Sequence, residues 1–347
     1  MRLGLNVGYL TVATTPADTL ALVREAERLG YAVVWAAEAY GSDSPSLLAW
    51  LAGQTSRIEL GSAVMQIPAR TPAATAMTAA TIDALSGGRF RLGLGVSGPQ
   101  VSEGWHGVPF ADPLGRTREY VEIVRMALAR QRVSYTGRHW QLPLPGGAGK
   151  ALKLNFRPPR EKIPIYLAAL GPRNLRLTGE IADGWLAIFF APEHAGEQLD
   201  HLRAGAGGDL SGFDVVAAVP VVIGEDVTAC AAAVRDYAAL YLGGMGSRER
   251  NFYHALATRA GYGPAADEVQ RLYLAGRHRD AAAAVPHEFL DRTSLLGPVP
   301  RIAQRLRAYA DAGVTTLSVM PFASGPEAGA ATLRAVVEAA EQAGLGG

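Results

Sequence analysis

A short turn in the middle of the chain has the composition of an anion-binding site. The segment Ala169-Leu170-Gly171-Pro172-Arg173 leads from an apolar, strand-like run directly into a helical pattern. Backbone amides at the start of a helix are free to donate hydrogen bonds, and they bind phosphate and other anions. The segment therefore predicts an anion site, to which Arg173 adds a positive charge. An ordinary capped turn with a surface arginine is the alternative interpretation.

A second segment, Gly93-x-Gly95-x-x-Gly98, has the spacing of the dinucleotide-binding fingerprint. That fingerprint requires a helix to begin directly after the glycines, so that its first amides face a pyrophosphate. Pro99 follows here, and the sequence predicts the next helix only near Leu114. We therefore interpret Gly95–Gly98, which includes Ser97, as a loop that lets the backbone approach a ligand, or as a tight turn alone.

Three side chains in loop segments have the chemistry to move protons. Glu38 and Asp43 lie on one loop, and a protonated carboxyl group there could act as a general acid. His106 stands beside Trp105 in a segment with two prolines, where it could line a pocket. Solvated carboxylates and a histidine packed against an aromatic ring are the structural alternatives.

Other reaction classes lack the residues that they need. The single cysteine, Cys230, excludes an internal disulfide framework and a metal site built from thiolates. The histidines show no metal-ligand spacing, no serine stands in a nucleophile-elbow pattern, and no Walker sequence is present. A metal-dependent enzyme is therefore not expected.

The elements that must position these residues alternate along the chain. Eight short apolar runs have the pattern of strands buried on both faces, and helical patterns separate most of them. The predicted strands are Leu3–Gly8, Val33–Ala37, Ile58–Gln66, Phe90–Val96, Ile163–Ala168, Gly184–Phe190, Val215–Ile223 and Thr316–Met320. Eight such units in 347 residues favour an α/β fold, a closed (β/α)₈ TIM barrel whose functional residues follow the carboxyl ends of the strands.

Three stretches break the alternation and are predicted to be insertions, at about residues 102–113, 133–150 and 243–300. No long Gly/Ser-rich or Pro-rich linker divides the chain, so we expect one barrel domain over residues 1–347. The longest insertion predicts a mobile lid over a roomy, partly apolar pocket.

Charge and hydropathy narrow the choice of partners. The chain has 33 basic and 32 acidic side chains, and a net charge of +1 gives no general attraction to nucleic acid or anionic membranes. No stretch reaches about 18 uncharged apolar residues, and Met1–Gly8 lacks the pattern of a secretion signal. We therefore expect a cytoplasmic protein that acts on a small molecule.

Several segments are similar to one family of barrel proteins. Residues 83–98, Asp-Ala-Leu-Ser-Gly-Gly-Arg-Phe-Arg-Leu-Gly-Leu-Gly-Val-Ser-Gly, resemble the signature that joins helix three to strand four in the bacterial luciferase-like superfamily. Shorter matches lie at residues 4–8, 26–38, 181–185 and 309–315. Within the superfamily the chain most resembles oxidoreductases that use the deazaflavin coenzyme F420, related to methylenetetrahydromethanopterin reductase. Residues 95–107 and 239–253 carry this closer match.

The resemblance implies a deazaflavin in the mouth of the barrel. It implies a non-proline cis peptide in Ala63-Val64-Met65, against one face of the ring. The phosphate of the coenzyme would meet the turn from Ala169 to Arg173, and its acidic tail would pass Arg157, Arg160 and Lys162. The residues implied to bind the coenzyme are Gly8, Glu38, Ala63, Val64, Met65, Gly95, Ser97, Gly98, Ala169, Leu170, Gly171, Pro172 and Arg173. Those implied to contact the substrate are Tyr9, Trp105 and His106.

The chain departs from the sugar-phosphate and alcohol dehydrogenases of this superfamily at one position. Those enzymes carry Asp-His on the loop after strand two, where the histidine takes the substrate proton, whereas this chain has Glu38-Ala39. Alanine cannot act as a base, so we predict reduction of a C=C or C=N bond by hydride from C5 of the deazaflavin. Glu38, Tyr40 or a bound water would supply the proton.

Two other functions are alternatives on the sequence. An FMN-dependent luciferase-like monooxygenase would use the same barrel and phosphate turn, because a fold does not by itself select the cofactor. A barrel that binds a cofactor without catalysis is the second alternative, and Ala39 is the feature that favours it. A homodimer is expected, because relatives often form one and the late helices have apolar faces.

Overall fold

The structure, a computed structural model, describes residues 1–10, 14–246, 249 and 251–345. Its strands, in chain order, are β1 (Arg2–Gly8), β2 (Val33–Ala36), β3 (Glu59–Ser62), β4 (Met65–Gln66), β5 (Phe90–Gly95), β6 (Tyr135–Thr136), β7 (Gln141–Leu142), β8 (Ile165–Ala168), β9 (Gly184–Ile188), β10 (Asp214–Ile223), β11 (Leu295–Gly297) and β12 (Thr316–Pro321).

Within the described residues, eight parallel strands close into a barrel in the order β1-β2-β3-β5-β8-β9-β10-β12. The last strand returns to the first, since Leu5 of β1 pairs with both Val34 of β2 and Val319 of β12. This closure confirms the predicted TIM barrel. The short strands β4 and β11 pair with β5 and β10, and β6 and β7 form a separate hairpin.

Helices surround the barrel. In the described part of the chain they are α1 (Pro16–Arg28), α2 (Ser44–Ala52), α3 (Pro72–Leu85), α4 (Pro99–Gly104), α5 (Pro113–Leu128), α6 (Pro172–Ile181), α7 (Ala195–Gly205), α8 (Val227–Ala239), α9 (Phe252–Ala257), α10 (Gly263–Leu274), α11 (His278–Ala284), α12 (His287–Thr293), α13 (Val299–Asp311) and α14 (Pro326–Gln342). Thr15 and Thr71 cap α1 and α3 through their side chains, and a proline follows each of them. The Thr-Pro pairs predict these starts because proline at the first helical position sacrifices no hydrogen bond.

The interior of the barrel is filled around one large side chain. Trp35 of β2 is fully buried and meets the ring of Tyr166 edge-on, with 5.3 Å between the centroids. A Cβ atom on Gly61 would lie 2.2 Å from the indole, so only glycine fits there. Large and small residues on facing strands thus combine to close the barrel core.

The end of the barrel at which the strands begin is closed by a charged network. Asp214, the first residue of β10, is 8% exposed. It accepts hydrogen bonds from Arg2 at 2.7 Å, Tyr166 at 2.9 Å and Thr316 at 2.8 Å. Buried charges need partners of this kind, and the network leaves the opposite end of the barrel as the open mouth.

Acid should weaken the fold partly through this network. Burial by itself would raise the pKa of Asp214, but the hydrogen bonds from Thr315 and Thr316 and the charges of Arg2 and Arg91 outweigh burial, so its pKa lies below the ordinary value. A lowered folded pKa gives stability that is complete above the unfolded pKa of about 3.9 and is lost as the pH falls through the folded pKa. We expect Asp214→Asn to lower the free energy of unfolding by about 3 kcal/mol at pH 7, because it removes the buried carboxylate that pairs with Arg2 and Arg91 and leaves them only Glu59 as an acidic partner.

Chemical denaturation of wild type and Asp214→Asn between pH 7 and pH 3 measures both effects. The difference between the two proteins should shrink as the pH falls. A difference that stays constant over this range would contradict a stabilising ionised Asp214. Asp200→Asn is the matched control, because Asp200 pairs with Arg203 on the surface of α7, where an ion pair contributes little.

Two elements near the predicted insertions differ from the sequence interpretation. A helix does begin directly after Gly98, because α4 starts at Pro99 with Gly98 as its N-cap, so the expectation of no helix before Leu114 is wrong. The third insertion ends in β11, which the sequence reading missed because three residues carry too little pattern. Residues 247, 248 and 250 of that insertion, part of the predicted lid, lie outside the described residues.

Candidate active site at the mouth of the barrel

The carboxyl ends of the barrel strands bring the predicted ring-contacting residues to one rim. Ala63, Val64 and Ala168 pack on the inner cluster around Trp35, at the open end of the barrel. The Ala63–Val64 peptide is cis. A Cβ atom on Gly95 would lie 2.5 Å from Cγ2 of Val64, so Val64 occupies the space that a larger residue at position 95 would fill.

The loop after β5 has an unusual backbone. Ser97 has a φ angle of 62°, in the left-handed region that favours glycine. Such conformations persist where the surrounding structure fixes them, and they occur often at ligand sites. Ser97 and Gly98 thus follow closely after the Val64–Gly95 contact at the end of β5.

Glu38 is held by Arg70, which the sequence analysis does not identify as a site residue. Arg70 donates two hydrogen bonds of 2.8 Å to the carboxylate, whose side chain is 11% exposed. Arg70 also pairs with Asp43, which caps α2 through the amide of Ser46 at 2.8 Å. Burial raises the pKa of Asp43, but its bonds to Ser46 and Arg70 outweigh burial, so this pKa lies below the ordinary value. The two hydrogen bonds from Arg70 fix the orientation of the Glu38 carboxylate.

Removing Arg70 should disturb the rim more than any exposed arginine would. Arg70→Met leaves two carboxylates without their shared cation, so we expect the free energy of unfolding to fall by about 3 kcal/mol. Arg203→Met, which breaks an exposed ion pair on α7, should change it by less than about 1 kcal/mol. Urea denaturation of both variants at pH 7 measures the difference. Equal losses would show that the Glu38–Arg70–Asp43 group is not a structural anchor.

A chain of hydrogen bonds links His106 to the loop after β2. Gln66, which is 2% exposed, donates from Nε2 to the carbonyl of Ala39 at 2.8 Å. Its Oε1 lies 3.2 Å from Nε2 of His106. The buried glutamine therefore ties the first insertion to Ala39 on the loop after β2. A polar residue ending an apolar strand-like run was the available signal for Gln66.

Tyrosines line another side of the mouth. Tyr40 is 57% exposed. The pKa of Tyr9 is raised, mainly because the side chain is partly buried and secondly because Tyr40 is close. The pKa of Tyr241 is raised to about 12, mainly by burial and secondly by the nearby Tyr9. Tyr241 lies in the π-helical turn Leu240–Gly244, which leads from α8 into the third insertion. The start of the third insertion therefore lies near the loops that follow β1 and β2.

The first and third insertions also meet each other. Phe110, after α4, lies 6.2 Å from Phe252 of α9 between ring centroids. Trp105, five residues before Phe110 in the chain, is 67% exposed. The two insertions together enclose one side of the mouth with apolar surface, which suits a small organic molecule.

The predicted anion turn has the required geometry. α6 begins at Pro172 with Gly171 as N-cap, and no side chain caps its first turn. A Cβ atom on Gly171 would meet nothing within 4 Å, so the space in front of the helix is open. Trp185 fixes the turn by donating from Nε1 to the carbonyl of Ala169 at 2.9 Å. The free amides and the helix dipole make this position suitable for phosphate.

Two of the cations expected along the acidic tail lie elsewhere. Arg160 pairs with the buried Asp83, and Lys162 pairs with Asp183. Both precede β8, so they stand at the end of the barrel opposite the mouth, and the expectation for them is wrong. Arg259 of the third insertion lies at the turn instead and donates to the carbonyl of Leu170 at 2.8 Å. No local sequence signal marks this contact.

A cleft opens beside the anion turn, between α6, α7 and the third insertion. The cleft is open, and its empty space together with the solvent at its entrance amounts to about 600 Å³. Apolar and aromatic side chains form much of its wall, and arginines and histidines stand among them; its lining includes Leu170, Phe189, Leu256, Arg259, Phe289 and Arg292. The turn is therefore flanked by the barrel mouth and by a second, more basic space.

Comparison with known proteins identifies the family of the chain. The model of the luciferase-like monooxygenase family matches residues 3–316. The chain belongs to this family. A Mycobacterium tuberculosis protein, provisionally named a coenzyme F420-dependent oxidoreductase, is 46% identical over 92% of this chain and 94% of its own length. The 5,10-methylenetetrahydromethanopterin reductase of Archaeoglobus fulgidus is 32% identical over 84% of this chain and 86% of its own length.

Solved structures of the luciferase-like family share the architecture. The coenzyme F420-dependent tetrahydromethanopterin reductase of Methanopyrus kandleri superposes with a TM-score of 0.80 and covers 98% of this chain and 97% of its own, at 24% identity. Likeness at this identity shows the fold alone, and FMN-containing enzymes also have the fold. Among the described residues, no helix has both the length and the hydropathy to cross a bilayer, and no group of three metal-binding side chains is present.

Proposed function

We propose that this luciferase-like protein is a coenzyme F420-dependent oxidoreductase, which transfers a hydride between C5 of the deazaflavin and a small organic substrate. The observation that carries the proposal is the 46% identity to a relative named for F420 dependence, which extends over nearly the whole of both chains.

The residues at the mouth fit a molecule of this kind. The ring would lie on Ala63, Val64 and Met65, with Gly8, Gly95, Ser97 and Gly98 close to its edge. The phosphate would accept hydrogen bonds at the open N-terminus of α6, in the turn Ala169-Leu170-Gly171-Pro172-Arg173. Arg259 would add positive charge there, as its bond to Leu170 places it against the turn. The deazaflavin would supply hydride at C5, and the protein would orient the acceptor and exclude water.

The substrate would sit between the ring and the tyrosine side of the mouth. Tyr9, Trp105 and His106 would contact it, and Glu38 and Tyr40 would act at the ring edge. Ala39 offers no base for alcohol oxidation, so the proposed direction is reduction of a C=C or C=N bond. The Glu38–Arg70 pair favours an orienting role for Glu38, because two hydrogen bonds from Arg70 hold its carboxylate in place.

An FMN-dependent monooxygenase is the second candidate, since the family model carries that activity in its name and the turn would hold either phosphate. A fluorescence-quench titration of the purified protein with oxidised F420, and separately with FMN, distinguishes the two. We expect tight binding of F420 and weak binding of FMN. A preference for FMN would assign the monooxygenase, and binding of neither would refute the proposed site.

We also propose a homodimer that acts in the cytoplasm. Trp50 of α2 and Met77 of α3 are 38% and 59% exposed on adjacent helices, which gives an apolar surface for a second copy. Sedimentation of the purified protein tests this assembly, and a monomer at micromolar concentration would contradict it.

A further inference from the structure

His106 occupies an unusual position for a histidine on an insertion. It follows α4 and is half-buried, and its Nε2 is hydrogen-bonded to the buried Gln66 at the end of β4. Gln66 pairs with Gly95 in the register of β4 and β5, so this contact lies at the open end of the barrel. The imidazole therefore stands at the rim where the proposed substrate would meet the ring.

The partners of Gln66 determine which nitrogen of His106 carries a proton. The carbonyl of Ala39 can only accept a hydrogen bond, so the Gln66 atom that faces it must be the amide nitrogen. The amide oxygen then faces His106, and an oxygen of this kind can only accept. Nε2 of His106 must therefore donate, and the neutral ring has its proton on Nε2 and a lone pair on Nδ1.

Nδ1 is available for chemistry. It lies on the other side of the ring from the bond to Gln66, and within the described ranges no residue forms a hydrogen bond with it. Nε2–H donates to Gln66 in both the neutral imidazole and the imidazolium. A proton can therefore leave or return at Nδ1 without any rotation of the ring. This is the arrangement of an oriented general acid and base.

We propose that His106 is the proton donor of the reduction, and this proposal rests on the proposed function. Hydride adds to one atom of the C=C or C=N bond, and the π electron pair moves to the other atom. That atom takes the proton from Nδ1 of the imidazolium, which leaves the neutral ring with its proton on Nε2, still bound to Gln66. Water then restores the imidazolium. The imidazole that is absent from position 39 is thus supplied from the first insertion.

The other titratable groups nearby have different roles. Glu38 and Asp43 share Arg70, so the carboxylates on the β2 side of Gln66 are already paired. Glu103, on the helix that precedes His106, accepts from the amide of Phe110 at 2.8 Å. Within the part of the chain that the structure describes, Nδ1 of His106 has no hydrogen-bond partner, and the bond from Nε2 to the buried Gln66 holds the ring at the rim.

The first test uses the protein without cofactor. Two-bond ¹H–¹⁵N NMR spectra of protein with ¹⁵N-labelled histidine distinguish the two neutral tautomers. The signals of His106 are the ones that disappear in the His106→Gln variant. We expect the neutral ring to be the Nε2–H tautomer. The Nδ1–H tautomer, or a mixture of both, would overturn the proposal whatever the cofactor is.

The second test measures turnover with reduced F420 and cyclohexenone as acceptor. His106→Gln keeps a donor toward Gln66 but cannot protonate the substrate, and His106→Ala removes both functions. We expect kcat to fall by about 100-fold or more in both variants, because general acids commonly contribute that much. The affinity for oxidised F420 should be unchanged, and added imidazole should restore part of the activity of His106→Ala.

A purely structural histidine gives a different pattern. His106→Gln would then turn over like wild type, which overturns the proposal. Wild type that binds F420 and does not reduce cyclohexenone also counts against a donor at this position. If F420 does not bind at all, the proposed function fails and the donor role fails with it, whereas the tautomer is still decided by the NMR result.

Discussion

Gly171→Asp is expected to abolish binding of a phosphate-bearing cofactor while the fold keeps its stability. Gly171 is the N-cap of α6, with φ −94° and ψ 155°, an extended conformation that aspartate adopts readily. A side chain added there meets nothing within 4 Å. The new carboxylate would accept hydrogen bonds from the first turn of the helix, which is the standard role of aspartate at an N-cap.

The same carboxylate would occupy the proposed phosphate position. It would take the amides that the phosphate needs and place a negative charge against it. We expect Kd for oxidised F420 to rise by roughly 100-fold or more, a loss of about 2.7 kcal/mol or more. The unfolding free energy should stay the same or rise by about 1 kcal/mol, because the helix gains a cap.

Fluorescence-quench titration and urea denaturation measure the two expectations separately. Gly171→Ala is the matched control, since it fills the same space without charge or an acceptor, and it should bind more tightly than the aspartate variant. Wild-type affinity in Gly171→Asp would place the phosphate elsewhere, and the basic cleft around Arg259 and Arg292 would be the next region to examine.

Gly93→Ala should have the largest effect on folding. Gly93 lies in β5, opposite Ser62 at the end of β3, and the two are joined through the serine hydroxyl at 2.8 and 2.9 Å. A Cβ atom at position 93 would lie 1.8 Å from the carbonyl oxygen of Ser62 and 2.8 Å from Cδ1 of Leu186. The nearest obstacle is backbone, so the methyl group can be accommodated only if two barrel strands separate.

Overpacking a core usually costs about 1–3 kcal/mol, and we expect a loss above this range because a strand must move. Thermal unfolding, monitored by circular dichroism, measures the loss of stability. An insoluble Gly93→Ala protein would be the extreme form of the same loss. Gly196→Ala is the control, because Gly196 lies in α7 with nothing within 4 Å of the added methyl group. That variant should gain about 0.5–1 kcal/mol. A Gly93→Ala protein as stable as wild type would contradict the close β3–β5 contact.

The barrel itself could be predicted because its signals are local. Each strand is a short apolar run buried on both faces, and helix starts such as Thr15-Pro16 are determined within a few residues. Short elements without such signals were missed. β11 has only three residues, too few to show a pattern. α4 begins with Pro99. Proline suits the first position of a helix, so Pro99 is compatible with a helix that begins directly after Gly98.

The sequence by itself determined the fold, the family resemblance and the start of α6 after Gly171, since a helix N-terminus after a strand is formed by neighbouring residues. Only the tertiary structure decided which groups meet at the mouth. The pairs Arg70–Glu38, His106–Gln66 and Arg259–Leu170 join residues 32, 40 and 89 positions apart in the chain. Such contacts depend on how strands and insertions close around the barrel, and no local pattern encodes that closure.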